Sequence, residues 1–288
     1  MDIVPQLIAN SLIAGSIYAI LTLGFNLTYS TAKFIDIGFG VETAIGGYSV
    51  FYLCKTLGLP LYFGIFLGLF CSGLVSFLAY RFIYKPLRAR KASGTVLLIA
   101  SLGVLTALQA LVAILFTSQF QTLSGLIQAN RVFELLGGTF TAVQLSIFCT
   151  VLILSVLLAF LLKGTLFGKA ITAISDDEEV AKIVGINTER VMGEVFFISG
   201  MIGGLAGILI GFDTGIEPIM GLSWLLAAVV AAIVGGIGNL YGGLVGAYLL
   251  AFAENFGIWK ISGEWKMAIA FGLLIIFLVW RPRGLFPR

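Results

Sequence analysis

Apolar residues run along this chain in long blocks separated by short charged or Gly/Pro-rich words. A first group of blocks lies near residues 6 to 28, 34 to 54, 61 to 83 and 96 to 117. A second lies near 141 to 162, 191 to 212, 222 to 237, 242 to 258 and 265 to 280. A helix needs about 20 apolar residues to cross a hydrocarbon core of roughly 30 Å, and most blocks reach that length. The pattern predicts an all-α fold: a polytopic transmembrane helical bundle of eight or nine spans, forming a single domain over residues 1–288. Two blocks are ambiguous. The block 222 to 237 is short and closes with GGIGNLYGG, while 34 to 54 opens with Gly38 and Gly40 and contains Gly46-Gly47. Either can be a broken or re-entrant element instead of a full crossing.

Small residues recur every fourth position within the blocks, at Ser11, Gly15 and Ala19, at Ser199, Gly203 and Gly207, and at Gly238, Gly242 and Gly246. In lipid, where apolar burial gives helices no drive to associate, such stripes let backbones approach closely. They predict close packing within one bundle. The first two stripes share the pattern S-x3-G-x3-[AG]-I-L, in SLIAGSIYAIL and SGMIGGLAGIL, which suggests an internal repeat of the kind transporters use.

Composition sharpens the class. Hydrophobic residues make up 59% and charged residues 11%, against about 25% charged in soluble domains, so a water-soluble fold is excluded. The segment MDIVPQLIANSLIAG carries no basic start and no small-residue cleavage site, so its apolar run is expected to stay as a span. Lys85, Arg88, Arg90 and Lys91 cluster in one loop, Lys163, Lys169, Lys182 and Arg190 in another, and Arg281, Arg283 and Arg288 near the end. The positive-inside rule places these three groups in the cytoplasm, with loops 85–94 and 163–190 and the C-terminus inside. With Lys33 and Arg81 counted on the same side, Lys55, Arg131, Lys260 and Lys266 remain for the other face. Nine crossings would put the N-terminus outside. Histidine is absent, and Cys54, Cys71 and Cys149 show no metal-ligand spacing, which disfavours metal or histidine chemistry.

The longest strongly charged word is ISDDEEVAKIVGIN, residues 174 to 187. Ser175 with Asp176, Asp177 and Glu178 fits an S-x-x-E capping box, and the acids through Glu179 oppose the positive end of a helix dipole. Gly185 supplies a left-handed stop. The expected element is a short helix from Asp176 to Val184, with Val180, Ile183 and Val184 on one face and Ala181 at its border. That face must either pack on the ends of the chain's own spans or dock a soluble partner. Among ionisable residues in apolar blocks, Glu254 is the deepest. It is expected to line a path or to make an interhelical hydrogen bond, with Asn255 nearby as polar company. Glu194 is expected to pair with Arg190 at i, i+4.

The stretch LFGKAITAISDDEEVAKIVGINTERV resembles the cytoplasmic loop of permease subunits of branched-chain amino acid ABC importers. Four further blocks agree in order: NSLIAGSIYAILTLGFNLTYS, RFIYKPLR, AAIVGGIGNLYGGLVGAYLLAFAEN and FGLLIIFLVWRPRGLF. The resemblance implies an inner-membrane transport subunit and not an enzyme, with residues 176 to 184 as a coupling helix. It also implies two ATPase subunits, a second related permease (a homodimer being the alternative), an extracytoplasmic substrate-binding protein and no nucleic acid. No G-x4-G-K-[ST] pattern occurs in these residues, so no cofactor is expected in this chain and ATP is used by the partners. Where relatives read N-F-A-H-G-E, this chain has Asp36 to Val41 with Glu42 one place later. Asp36, Phe39, Glu42 and Glu254 are therefore the candidate path residues. Branched-chain or other neutral amino acids are the implied cargo, urea or short amides the alternative. An autonomous secondary transporter or channel is the competing class.

Overall fold

The structure, a computed structural model, describes residues 3–116, 118–127, 132–135, 137–282 and 284–286. Arg131, Arg283 and Arg288, which entered the charge argument, lie outside the described residues. Helix α1 (Ile3–Ala32) is followed by α2 (Phe39–Val50), α3 (Leu61–Ala79), α4 (Lys85–Ala89) and α5 (Gly94–Phe116). A hairpin of β1 (Val132–Leu135) and β2 (Gly138–Thr141) leads into α6 (Ala142–Gly164). Then come α7 (Leu166–Asp176), α8 (Glu178–Ile183), α9 (Thr188–Asp213), α10 (Met220–Gly235), α11 (Leu240–Lys260) and α12 (Lys266–Trp280). The hairpin is a small departure from an all-α reading, at the head of α6 in an otherwise helical chain.

Among the described residues six helices are long and apolar enough to cross a membrane, or seven if the bent pair α10 and α11 counts as one span. The eight or nine expected from the apolar blocks counted α2, α10 and α11 as separate crossings. Instead α2 begins only at Phe39, and α10 meets α11 at 117° through Gly236 and Gly238, both at positive φ. Asn26 fastens this bend, accepting from Gly238 N–H at 3.1 Å and donating to the Asn239 carbonyl at 3.1 Å. The tail adds two more backbone bonds, Leu285 to Val234 and Phe286 to Gly235.

Helices α1 and α9 form the buried centre, and α3, α5, α6 and α12 expose most of their apolar surface. The small-residue stripes decide how closely the centre packs. Ser199 Oγ donates to the Gly24 carbonyl across the α1–α9 contact at 2.9 Å, and Gly15 faces Tyr248 of α11. Gly207 meets the Thr43 carbonyl of α2, while Gly242 and Gly246 meet Gly235 and Ala231 of α10. All of these are contacts inside one bundle, as the bilayer argument requires.

The packing also repeats itself. Helix α1 lies on α11 as α9 lies on α3; α2 packs on α9 and α3 as α10 packs on α1 and α11. The two copies of S-x3-G-x3-[AG]-I-L fall on α1 and α9, which occupy equivalent places. Helix α2 runs beside the second half of α9, with contacts at Gly203, Gly204 and Gly207, and α10 beside the second half of α1, where Thr22 Oγ1 donates to the Ala228 carbonyl at 3.2 Å. Both half-length helices begin inside the bundle, back to back. A Cβ on Gly40 would lie 2.8 Å from the Gly221 carbonyl oxygen, and one on Gly221 would overlap Gly40.

Candidate functional site

The charged word does fold into a short capped helix, but not with the expected start. Thr165 caps α7 by accepting from Gly168 N–H at 3.0 Å, and that helix runs through Ser175 and Asp176, turning Gly168, Ile171, Ile174 and Ser175 inward. Ser175 is therefore buried in the preceding helix and is not the cap of α8. Asp177 takes that role: its Oδ1 accepts from Glu179 N–H at 2.8 Å and Val180 N–H at 3.0 Å. An N-cap needs extended backbone just ahead of the helix, which Asp177 has and a residue inside α7 cannot. Helix α8 consequently spans six residues, where nine were expected from Asp176 to Val184. The missed signal for α7 was Thr165 followed by Phe167, Ile171 and Ile174 at helical spacing.

The stop is as expected. Gly185 sits at φ +89°, its N–H donates to the Lys182 carbonyl at 3.1 Å, and Ile186 N–H reaches the Ala181 carbonyl at 3.0 Å. This pair of bonds is a Schellman closure, which a residue with a Cβ accommodates poorly. An Asp177→Ala variant is expected to fray α8, at a cost of about 1 kcal/mol. Its amides should then exchange severalfold faster by hydrogen-exchange mass spectrometry while those of α7 are unchanged; equal protection would disprove the cap.

The rotation of α8 separates its apolar residues. Ala181 is 2% exposed and packs with Ala32, Phe34, Tyr84 and Ile174, whereas Val180, Ile183 and Val184 stay exposed, Ile183 at 83%. The apolar face thus does not cover the chain's own spans. Glu178 anchors the base instead. Its carboxylate pairs with Arg88 at 2.5 Å and Lys182 at 2.7 Å, and Arg88 Nη1 donates to the Ala32 carbonyl at the end of α1 at 2.7 Å. Lys85 pairs with Glu189 at 2.6 Å, and Arg190 with Glu194 at 2.9 Å as expected.

From Ala32 the chain enters the segment that carries the next candidates. Asp36 is buried, and its Oδ1 accepts from Tyr84 Oη at 2.7 Å and Gly38 N–H at 2.9 Å. Tyr84 closes a π-helical turn (Tyr80–Tyr84) that aims both tyrosines inward. Phe39 is buried against Gly24 and Gly203, and Glu42, in the first turn of α2, has one carboxylate oxygen, Oε2, that finds no hydrogen-bond donor. Asp36, Phe39 and Glu42 are thus brought together where α2 meets α10.

Glu254 lies apart, in α11. It is 2% exposed, accepts from Tyr18 Oη at 2.6 Å and has Lys266 Nζ at 3.7 Å. The bond to Tyr18 joins α1 and α11, an interhelical hydrogen bond as expected, while the neighbouring Asn255 bonds its own helix at the Ala251 carbonyl. Tyr18 and Lys266, 236 and 12 residues away in sequence, could not be paired with Glu254 by local spacing.

Comparison with known proteins supplies the remaining observation. A family model described as "Branched-chain amino acid transport system / permease component" matches residues 7–278. The chain is 29% identical to the high-affinity branched-chain amino acid transport system permease protein BraD of Pseudomonas aeruginosa, covering 98% of this chain and 95% of that one. It is 28% identical to LivH of Escherichia coli K12 with the same coverage. It is 27% identical to LivM of Salmonella typhimurium, over 94% of this chain and 68% of that one. In fold it is similar to a chain of PsaBC from Streptococcus pneumoniae in complex with Fab, with a TM-score of 0.51 at 13% identity, covering 99% of this chain and 94% of that one. A match over nearly the whole length, on a bundle of apolar helices with a capped polar loop, establishes that this chain is a multi-pass membrane protein belonging to the branched-chain amino acid transport system permease family.

Proposed function

We propose that this chain is the permease subunit of a binding-protein-dependent ABC importer that moves branched-chain or other neutral amino acids across the inner membrane. The observation that carries the proposal is α8, a short helix with three exposed apolar side chains on an ion-paired base. A solvent-exposed Val-Ile-Val tip is unfavourable unless a partner covers it. The partners are two ATPase subunits, which use the ATP; this chain holds no cofactor. Arg88 ties α8 to the last carbonyl of α1, so displacement of α8 is carried to the segment 33–38 and from there to α2. A helix closed at both ends transmits such motion, whereas a frayed one would absorb it.

Lys85, Arg88, Lys182 and Arg190 share the end of the bundle on which α8 sits, and Arg281 lies near the bend fastened by Asn26. The positive-inside rule makes that end cytoplasmic, with loops 85–94 and 163–190 and the C-terminus. Gln6 pairs with Thr139 at the opposite end, so the N-terminus lies outside. Asp36, Phe39 and Glu42 stand beside the path, where the two half-length helices start; broken helices of this kind mark solute routes in other transporters. Glu254 borders the same route nearer the outside. A second, related permease supplies the other wall and the second coupling helix, and an extracytoplasmic binding protein delivers the cargo.

The test is uptake by proteoliposomes holding the chain with a second permease, ATPases and a binding protein from the same organism. ATP-dependent accumulation of leucine, isoleucine or valine is expected. Uptake of urea or acetamide in their place would move the cargo to the alternative class. Solute movement by the chain alone down an ion gradient would overturn the proposal.

A further inference from the structure

A cavity of about 270 Å³ opens between α1, α10, α11 and α12, with Tyr18, Trp224, Glu254 and Lys266 among its walls. Glu254 is held at its base by Tyr18. The rings of Tyr18 and Trp224 stand 5.9 Å apart, and Lys266 Nζ lies 5.7 Å and 6.0 Å from their centroids. A carboxylate backed by two aromatic faces is a slot for an ammonium group, which gains from both the charge and the ring quadrupoles. Lys266 reaches across that slot only loosely: its pair with Glu254 is 3.7 Å long and its side chain is 43% exposed. It is free to turn to a second anion. The remaining wall is apolar, chiefly Leu226, Val230, Met267 and Phe271. At roughly 30 Å³ per water the cavity holds about nine waters, the heavy-atom count of leucine.

We infer that this cavity is a binding site for a zwitterionic amino acid with an aliphatic side chain. The α-ammonium takes the place of Lys266 Nζ on Glu254 beside the touching Tyr18 and Trp224 rings, Lys266 turns to the α-carboxylate, and the side chain fills the apolar wall. Buried charges inside a membrane bundle are costly unless matched, and a zwitterion matches both at once. The site deepens the permease reading and rests on it for its place in transport, since it would give the cargo a stop within the membrane after the binding protein releases it. It predicts a selectivity for the whole zwitterion over an amine or an acid alone.

The full transporter in nanodiscs, without binding protein, would be titrated with L-leucine by tryptophan fluorescence. The signal should vanish in Trp224→Phe, and affinity should fall about tenfold or more in Glu254→Gln and in Lys266→Met, each of which loses one charge-assisted contact. Glu254→Gln keeps an acceptor for Tyr18 and so preserves the packing. Isoamylamine and 4-methylpentanoate, which carry one charge each, should bind at least about tenfold more weakly than leucine. Unchanged leucine affinity in both charge variants would overturn the site, as would a stronger response to phosphoethanolamine, which would assign it to a lipid headgroup. ATP-driven leucine uptake by the same complex separates the two conclusions. Uptake with an unresponsive cavity removes the site and leaves the permease reading; a responsive cavity with no ATP-driven uptake of any neutral amino acid does the reverse.

Discussion

Gly207→Val is expected to abolish the folded permease, whereas Gly103→Val should leave it nearly intact. A Cβ on Gly207 would overlap the Thr43 carbonyl and lie 2.8 Å from Thr43 Cα, so backbone of α2 blocks it, not a side chain that could turn aside. Helix α2 is also held by a second contact with α9, Gly46 against Gly204, and on its other flanks by Gly68 of α3 against Val50 and by Gly221 of α10 against Gly40. It cannot retreat without opening the junction at Asp36 and Glu42. Overpacking a core costs about 1–3 kcal/mol when side chains can adjust, and a backbone overlap should exceed that. Gly103, on the exposed α5, has nothing within 4 Å of a Cβ. Thermal unfolding in detergent, followed by size-exclusion chromatography, would compare the two. A Gly207→Val protein as stable as wild type would mean that α2 and α9 are not in close contact.

The second large effect concerns function without stability. Ile183→Asp is expected to leave insertion and thermal stability unchanged, because the side chain touches little of its own chain. ATP-driven uptake should nevertheless fall by about tenfold or more, since a buried apolar anchor at an interface is worth roughly 2–4 kcal/mol. Ala181→Asp makes the contrast: it would place a charge against Phe34, Tyr84 and Ile174, so stability itself should drop. Both measurements use one preparation, unfolding by fluorescence and uptake in proteoliposomes. Wild-type uptake by Ile183→Asp would remove α8 from the coupling role, while loss of stability would show that Ile183 packs on its own bundle.

How far each feature could be read beforehand depends on the range of the interactions that create it. The bundle, the small-residue contacts and the Gly185 stop depend on composition or on residues within four positions, so they were legible. The start of α8 was not, because Ser175 and Asp177 are both good caps. Which one serves depends on whether residues 166–176 fold first into a helix against the core, and burial of Ile171 and Ile174 settles that. The same packing turns Ala181 inward and leaves Ile183 out. Helical spacing puts Val180, Ile183 and Val184 on one face but carries no information on which way that face points.

The chain's sequence alone determined that this is a membrane bundle with a capped polar helix, because lipid forces every span to be apolar and to satisfy its own backbone. It also marked Glu254 as a costly buried charge. Only the tertiary structure decided that Tyr18 and Lys266 complete it, that Arg88 links α8 to α1, and that α2 and α10 begin back to back. Those contacts join residues from 56 to 236 positions apart in most cases, through close packing of several helices at once. No local pattern encodes them, because each helix face is specified relative to its own axis and the fold alone sets which faces meet.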